Sequence, residues 1–553
     1  MRSSVKRSVK SAFYSVAQEC GLEDARPGQF DVSIPKEEKF GDFATNIAML
    51  KAPAFRMKPR ELADRLVARI KETPLFESVE VAGPGFINMR IKPVEWTLAL
   101  DQVFTKGAAF GHVEAGGGEK VIVEFVSANP TGPLHIGHGR GAALGDTIAR
   151  VLRAAGYQVH TEYYINDVGL QMDNLGRSTL IRARELCGLE PGGEPPYKGE
   201  YMIDVARGFL ECKGRAALDL PEEKALALAR EYAGHAILGG IRTDLDDFRV
   251  HFDQWFSEDS LHKAGGVEDA IAVLSAQGEI YEKDGALWLK TLDTGDEKDR
   301  VVRRANGVTT YLAADIAYHK NKLDRGYHTM VNIWGADHHG YIPRIKATLK
   351  ALGGDPDKLA VRLVQIVNLK RGGQVVAMST RSGVFTTLRE ILDDVGVDAT
   401  RYFFLMRSSD AQMDFDVDLA KKQSDENPVY YIQYAHARCS NIFVTARERG
   451  LAAPPPMAAV DLTLLTEPEE LRLIRKLLEL PDVVESCARA FQPHPLTQYL
   501  TDTAALFHYF YHRHRVVTDN KALSNARLTL VEATRITLHN GLFLLGINAP
   551  DKM

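Results

Sequence analysis

Cysteine is scarce in this chain of 553 residues: Cys20, Cys187, Cys212, Cys439 and Cys487 are all there are, with no C-x-x-C pair among them. That scatter argues against a disulfide framework and against a thiolate zinc site, and it fits a reducing, cytoplasmic setting. Long apolar runs are missing too, and none approaches the roughly 20 residues that a membrane-spanning helix needs. Neither sign of charge dominates, 68 Lys and Arg standing against 73 Asp and Glu for a net charge of −5. A chain uniformly coated for nucleic acid is thereby excluded, whereas a local basic patch is not. Internal repeats and low-complexity tracts are absent, which excludes solenoid arrays. The first residues, MRSSVKRSVKSAF, are basic without the apolar stretch of a secretory signal, so an amphipathic helix is expected there.

What is present is an ordinary globular composition, 45% apolar and 25% charged, at a length that calls for several cores. The most informative stretch is VIVEFVSANPTGPLHIGHGR, Val121 to Arg140. Val121–Val126 has the β-branched, uninterrupted apolar character of a buried parallel strand. A turn rich in Pro and Gly follows, then apolar residues at helical spacing up to Gly156, then a second strand from Val159 to Ile165. Strand, turn, helix, strand is a βαβ unit, and ligands of open α/β sheets gather at the carboxyl ends of such strands.

His135 and His138 fall three apart at the start of that helix, where free N–H groups and the dipole favour polyphosphate. Gly137 between them would let a phosphate approach the backbone. Two readings apply: a pair of donors to phosphate, or a polar helix cap. A dinucleotide fingerprint is not among the options, because Gly132, Gly137 and Gly139 do not give G-x-G-x-x-G spacing.

Elsewhere, residues 1–112 read as a separate α+β unit with helices over Val5–Cys20 and Pro59–Ile70 and a hairpin about Gly83-Pro84-Gly85. Residues 171–300 interrupt the βαβ rhythm and are largely helical, with a short hairpin at Asp284-Gly285. The sheet is expected to resume near Val301, with strands at Met330–Trp334 and Leu363–Leu369. Asp337, His338 and His339 read as a polar strand end lining a cleft, since adjacent histidines point apart. From about residue 416 the chain is helical, and Ala505–Arg515 interleaves aromatics with His and Arg. That pattern suits either unstacked RNA bases or a buried stripe with a basic edge.

The stretch Glu124-Phe125-Val126-Ser127-Ala128-Asn129-Pro130-Thr131-Gly132-Pro133 followed by His135-Ile136-Gly137-His138 resembles the class I aminoacyl-tRNA synthetases, and among them the bacterial arginyl-tRNA synthetases. Gly83-Pro84-Gly85-Phe86-Ile87-Asn88, Tyr197-Lys198-Gly199-Glu200-Tyr201, Trp288-Leu289-Lys290 and the terminal Asn548–Met553 extend the likeness over the whole chain. It implies an α/β Rossmann-type parallel sheet split by a helical insertion, with an N-terminal α+β domain and a C-terminal all-helical bundle. The corresponding segments are a tRNA-contacting domain (1–112), two halves of the catalytic domain (113–170 and 301–415), an insertion (171–300) and an anticodon-binding domain (416–553). The implied reaction joins L-arginine to tRNA(Arg) through arginyl-adenylate, using ATP with Mg²⁺, without zinc and without a membrane, in a cytoplasmic monomer.

The same resemblance assigns roles to residues. His135, His138 and Arg381 carry catalysis. ATP is expected along Ala128, Asn129, Pro130, Thr131, Gly132, Pro133, Leu134, His135, Ile136, Gly137 and His138, and along the second signature loop at Met378, Ser379, Thr380 and Arg381. That loop departs from the family pattern: Ala377 stands where a lysine is usual, leaving Arg381 as its one cation, with Lys370 and Arg371 in reserve. Arginine falls to Glu124, Asn129, Tyr311 and Asp315. RNA contacts fall to Tyr430, Gln433, Tyr434, His436, Arg438, Arg513 and Arg515.

Overall fold

A computed structural model of the chain describes residues 1–292, 296–376, 386–457 and 460–553. The N-terminal unit buries Val5, Val9, Ala12, Phe13 and Val16 along one stripe of the helix Arg2–Glu19, the 3–4 spacing that a core-facing helix requires. Its antiparallel sheet has the order β1 (Val32–Ser33), β2 (Phe43–Thr45), β4 (Phe86–Ile91), β3 (Phe76–Ala82). The β3–β4 turn needs its glycines: Gly83 and Gly85 have φ of +53° and +145°, and a Cβ on Gly85 would lie 3.1 Å from Pro59.

The central sheet begins with β5 (Lys120–Glu124), whose Val121, Ile122 and Val123 are fully buried, and continues through the helix Ile136–Ala154 to β6 (Gln158–Ile165). The strand expected over Val121–Val126 stops at Glu124 because Val126 and Ser127 turn to φ of +65° and +41°. For a β-branched residue such a φ is strained. The helices Leu170–Leu186, Tyr201–Lys213 and Glu222–Asp247 follow, and β7 (Gln254–Ser257) then pairs parallel with β6. Thus the stretch read as lying outside the sheet supplies its fifth strand. Four residues set between a 26-residue helix and a six-residue one carry too little periodicity to be seen in sequence.

The hairpin at Asp284-Gly285 is present as β8 (Ile280–Lys283) and β9 (Ala286–Leu289). β10 (Arg300–Arg303) joins it antiparallel in a separate sheet, so the central sheet does not resume near Val301. It resumes at β11 (Thr329–Gly335) and ends with β12 (Leu359–Val364), giving the all-parallel order β12-β11-β5-β6-β7. The strand expected over Leu363–Leu369 is two strands: after Val364 the chain leaves for β13 (Val367–Arg371), which pairs with β14 (Gln374–Val375) and β15 (Met413–Asp416). Connections from β5 run one way to β6, while β11 lies on its other side. The order reverses at β5, and a cleft opens beyond the carboxyl ends of β5 and β11.

The last part is a bundle of the helices Pro428–Glu448, Pro468–Leu477, Leu480–Ala490, His494–Arg513 and Lys521–Leu544. Among the described residues no helix is long and apolar enough to cross a membrane. The tail after the bundle returns to the catalytic unit. Fully buried Arg401 donates to the carbonyls of Leu545 (2.8 Å) and Phe248 (3.0 Å) and to Asp146 (2.5 Å) on the helix Ile136–Ala154.

Candidate active site

The positive φ angles after β5 bend the chain so that Glu124, Ser127, Ala128 and Asn129 all face a cleft of about 1090 Å³. Ser127 holds the bend by accepting from the Tyr164 backbone N–H (3.1 Å) and donating to Glu124 (3.4 Å). His135 is the N-cap of the helix that follows. Its Nδ1 accepts from the N–H groups of Gly137 (3.1 Å) and His138 (3.3 Å), while Nδ1 of His138 accepts from the N–H of His135 (3.3 Å). The two imidazoles thus form a reciprocal capping box, with rings stacked at 3.6 Å between centroids. The cap reading of the pair therefore holds. Each Nδ1 is spent on the cap, which puts the ring proton on Nε2 and makes that atom a donor. Burial, and then the neighbouring His135, pushes His138 down to about 3, and burial lowers His135 as well, so both rings are neutral. Gly137 is required by this packing, since a Cβ there would stand 2.9 Å from the His135 ring.

Of the residues expected along ATP, Ala128, Asn129, His135, Ile136, Gly137 and His138 line the cleft. Pro130, Thr131, Gly132, Pro133 and Leu134 lie outside its lining, and three of them have other partners. The Thr131 carbonyl accepts from the Tyr201 hydroxyl (2.7 Å), the Tyr201 ring covers Gly132, and the buried Leu134 accepts from the Leu388 N–H (2.7 Å). The cause is tertiary: the helix beginning at Tyr201 is laid over the turn. Met378, Ser379, Thr380 and Arg381 lie outside the described residues. Their proposed reserves are engaged, Lys370 with Asp414 (2.6 Å) and Arg371 with Asp394 (2.7 Å).

Three carboxylates of the same cleft converge about Asp315. Glu124 receives the ammonium of Lys322 at 2.5 Å, a lysine with no solvent exposure that also lies 4.2 Å over the Tyr318 ring. Asp315, on the helix Tyr311–Asp324, has no ion pair among the described residues; burial, then repulsion from Glu124 and Glu258, pushes it up to about 7. Glu258 follows the cap Ser257 at the end of β7 and is raised by burial. Tyr311 stands at the cleft rim, 64% exposed. Sequence reading missed Glu258, Lys322, His319 and Asn332. A signal was available for two of them: Asp315, His319 and Lys322 recur at i, i+4 and i+7, a polar stripe on a helix whose other buried positions are apolar.

In the bundle, Tyr430, Tyr434 and Arg438 form an outer row, with the Tyr rings 6.3 Å apart and Arg438 over Tyr434 (4.5 Å) and Tyr511 (5.0 Å). Arg513 lies over Tyr509 at 5.6 Å, and Arg515 is exposed. Gln433 and His436 require correction. Both are buried on the inner face, where Gln433 donates to Asp398 and to the Asn548 carbonyl (2.9 Å each), and the His436 ring meets the Pro550 carbonyl at 2.8 Å.

Three family descriptions match the chain: "Arginyl tRNA synthetase N terminal domain" over 1–91, "tRNA synthetases class I (R), catalytic domain" over 99–178 and 236–426, and "DALR anticodon binding domain" over 432–553. An arginine–tRNA ligase of Syntrophotalea carbinolica is 51% identical over 556 residues, covering 100% of both chains. One from Citrifermentans bemidjiense is 52% identical, covering 95% of each. Among solved structures, the Thermus thermophilus arginyl-tRNA synthetase matches with a TM-score of 0.78 at 25% identity over 100% of both chains. A Mycobacterium tuberculosis methionyl-tRNA synthetase, 13% identical over 78% of this chain and 92% of its own, shares the fold at a TM-score of 0.55.

Proposed function

We infer the working of the cleft from the premise that this chain belongs to the arginyl-tRNA synthetases. It ligates L-arginine to tRNA(Arg) at the expense of ATP. The arginine carboxylate attacks the α-phosphorus and pyrophosphate leaves. A ribose hydroxyl at the 3′ end of the tRNA then takes the arginyl group and releases AMP. ATP is used as its magnesium complex.

What supports this reading is that His135 and His138, each with Nδ1 spent on the helix cap, line the same cleft as the carboxylates Glu124, Glu258 and Asp315. His135 and His138 meet charge developing on the α-phosphate, and Arg381 meets the leaving pyrophosphate. Such donors act on the transition state and cost no reorganisation when already fixed. Glu124, Glu258 and Asp315 against Lys322 leave two negative charges, which match the guanidinium and α-ammonium of arginine. Asp315 takes the guanidinium, Tyr311 packs over it, and Asn129 holds the backbone end. The outer row of Tyr430, Tyr434, Arg438, Arg513 and Arg515 takes anticodon bases, and residues 1–112 contact the tRNA elsewhere. The enzyme works as a cytoplasmic monomer.

Pyrophosphate exchange with each amino acid, with and without tRNA(Arg), tests the assignment. Exchange is expected with arginine in the presence of tRNA. Strong exchange with lysine or cysteine and none with arginine would sink it, and no exchange at all would mark a tRNA-binding relative disabled at Ala377.

A further inference from the structure

One turn beyond Asp315, the ring of His319 is 3% exposed and lines the cleft. Its Nδ1 lies 2.8 Å from the Asp315 carbonyl oxygen. A carbonyl only accepts, so the ring proton sits on Nδ1 and Nε2 is a bare lone pair. That Nε2 is buried without a hydrogen-bond partner among the described residues. Burial, followed by the Lys322 ammonium, pushes the ring down to about 3, so protonation does not turn this acceptor into a donor. The same cleft is lined by Asn332 on β11, fully buried, with both amide atoms likewise unpartnered among the described residues.

Buried polar atoms are normally paired, and one left over in a cleft wall marks where a guest brings the missing group. Arginine brings five N–H donors in a rigid plane. A single carboxylate takes two of them, and Glu124 already receives an ammonium. A further carboxylate would add unneeded negative charge, whereas a neutral imidazole accepts without adding any.

We propose that Nε2 of His319 accepts an N–H of the bound guanidinium, making His319 a specificity residue beside Asp315. The inference rests on the reading that this cleft holds arginine against Asp315. A lone pair at this point favours a side chain that donates along its whole edge and disfavours one presenting a carbonyl there, as a ureido group does. A buried acceptor that loses its donor pays its full desolvation cost.

The test measures KM and kcat for arginine, and KM for ATP, with the full chain and tRNA. The variants are His319→Phe, which keeps a ring without an acceptor, His319→Gln, whose terminal amide oxygen reaches the place of Nε2, and Asp315→Asn. The Phe variant is expected to raise the arginine KM roughly tenfold or more, with kcat and the ATP KM changed little. The Gln variant should recover most of that loss. An unchanged arginine KM in His319→Phe, or a Gln variant no better than Phe, overturns the proposal. Should the phenyl ring prevent folding, His319→Met replaces it with the same expected outcomes. Asp315→Asn separates the two levels: a normal arginine KM there overturns the arginine reading of the cleft, whereas a raised one beside an unaffected His319→Phe overturns only the role of His319.

Discussion

Burial, and then the like charges of Glu124 and Glu258, push Asp315 up to about 7, which makes arginine binding depend on pH in a defined direction. The carboxylate form binds the guanidinium, so binding pulls the pKa down and expels protons. The arginine KM should therefore rise as pH falls through 7, by up to about tenfold per unit, and the trend should vanish in Asp315→Asn. Calorimetry in buffers of different ionisation enthalpy reads the proton release; a heat independent of buffer near pH 7 would refute it. The two histidines allow a separation of structure from chemistry. In His135→Asn the amide oxygen stands near the place of Nδ1 and keeps the cap, but the Nε2–H is gone. Stability should hold to within about 1 kcal/mol, while exchange should fall by roughly 10²–10³. Equal and small losses in both would leave the pair as a cap alone.

At the scale of one element, the helix Pro428–Glu448 has two faces with different duties. Its inner face secures the tail through Gln433 and His436; its outer face presents Tyr434 and Arg438. His436→Ala is expected to cost roughly 1–3 kcal/mol of stability, because the Pro550 carbonyl loses its hydrogen bond and a cavity opens. Tyr434→Ala is expected to leave the melting temperature alone and to weaken tRNA binding by about 1–3 kcal/mol, the worth of one stacked base. Thermal unfolding together with filter binding of both variants distinguishes the faces; the reverse pattern would mean they are exchanged. The aromatic run Ala505–Arg515 divides in the same way, since Phe507 and Phe510 are fully buried while Tyr509 and Tyr511 are exposed.

Across the whole molecule, the bundle is not an appendage. Besides Arg401, Asp398 accepts from the tail's Asn548 N–H (3.2 Å) and from Arg249 (2.6 Å) and Gln433 (2.9 Å), which themselves donate to the tail carbonyls of Gly546 and Asn548. A chain truncated at residue 420 would leave Arg401 buried without one of its acceptors. We expect that truncation to lower the melting temperature of the catalytic unit and not merely to abolish charging. A nucleotide unit melting as in the full chain would contradict this. In the second signature loop, Arg381→Ala should cut exchange far more than Lys370→Ala, whose ammonium is engaged by Asp414. A worse Lys370 variant would move the compensating charge to β13.

The sequence by itself determined the βαβ unit, the cap histidines, the N-terminal hairpin and the helical bundle, because each is written in local periodicity and turn chemistry that a short window contains. Glu124 and Asp315 were legible only through the family likeness. What tertiary structure alone decided is who partners whom across long separations. β7 entered the sheet through pairing with a strand 92 residues earlier. Tyr201 was bonded to the turn at Thr131, Gln433 and His436 were claimed by the tail, and Lys322 was brought to Glu124 across 198 residues. A hydrogen bond or an ion pair costs a side chain its availability to a ligand, and that competition is settled only where chain segments distant in sequence meet in a low-dielectric interior.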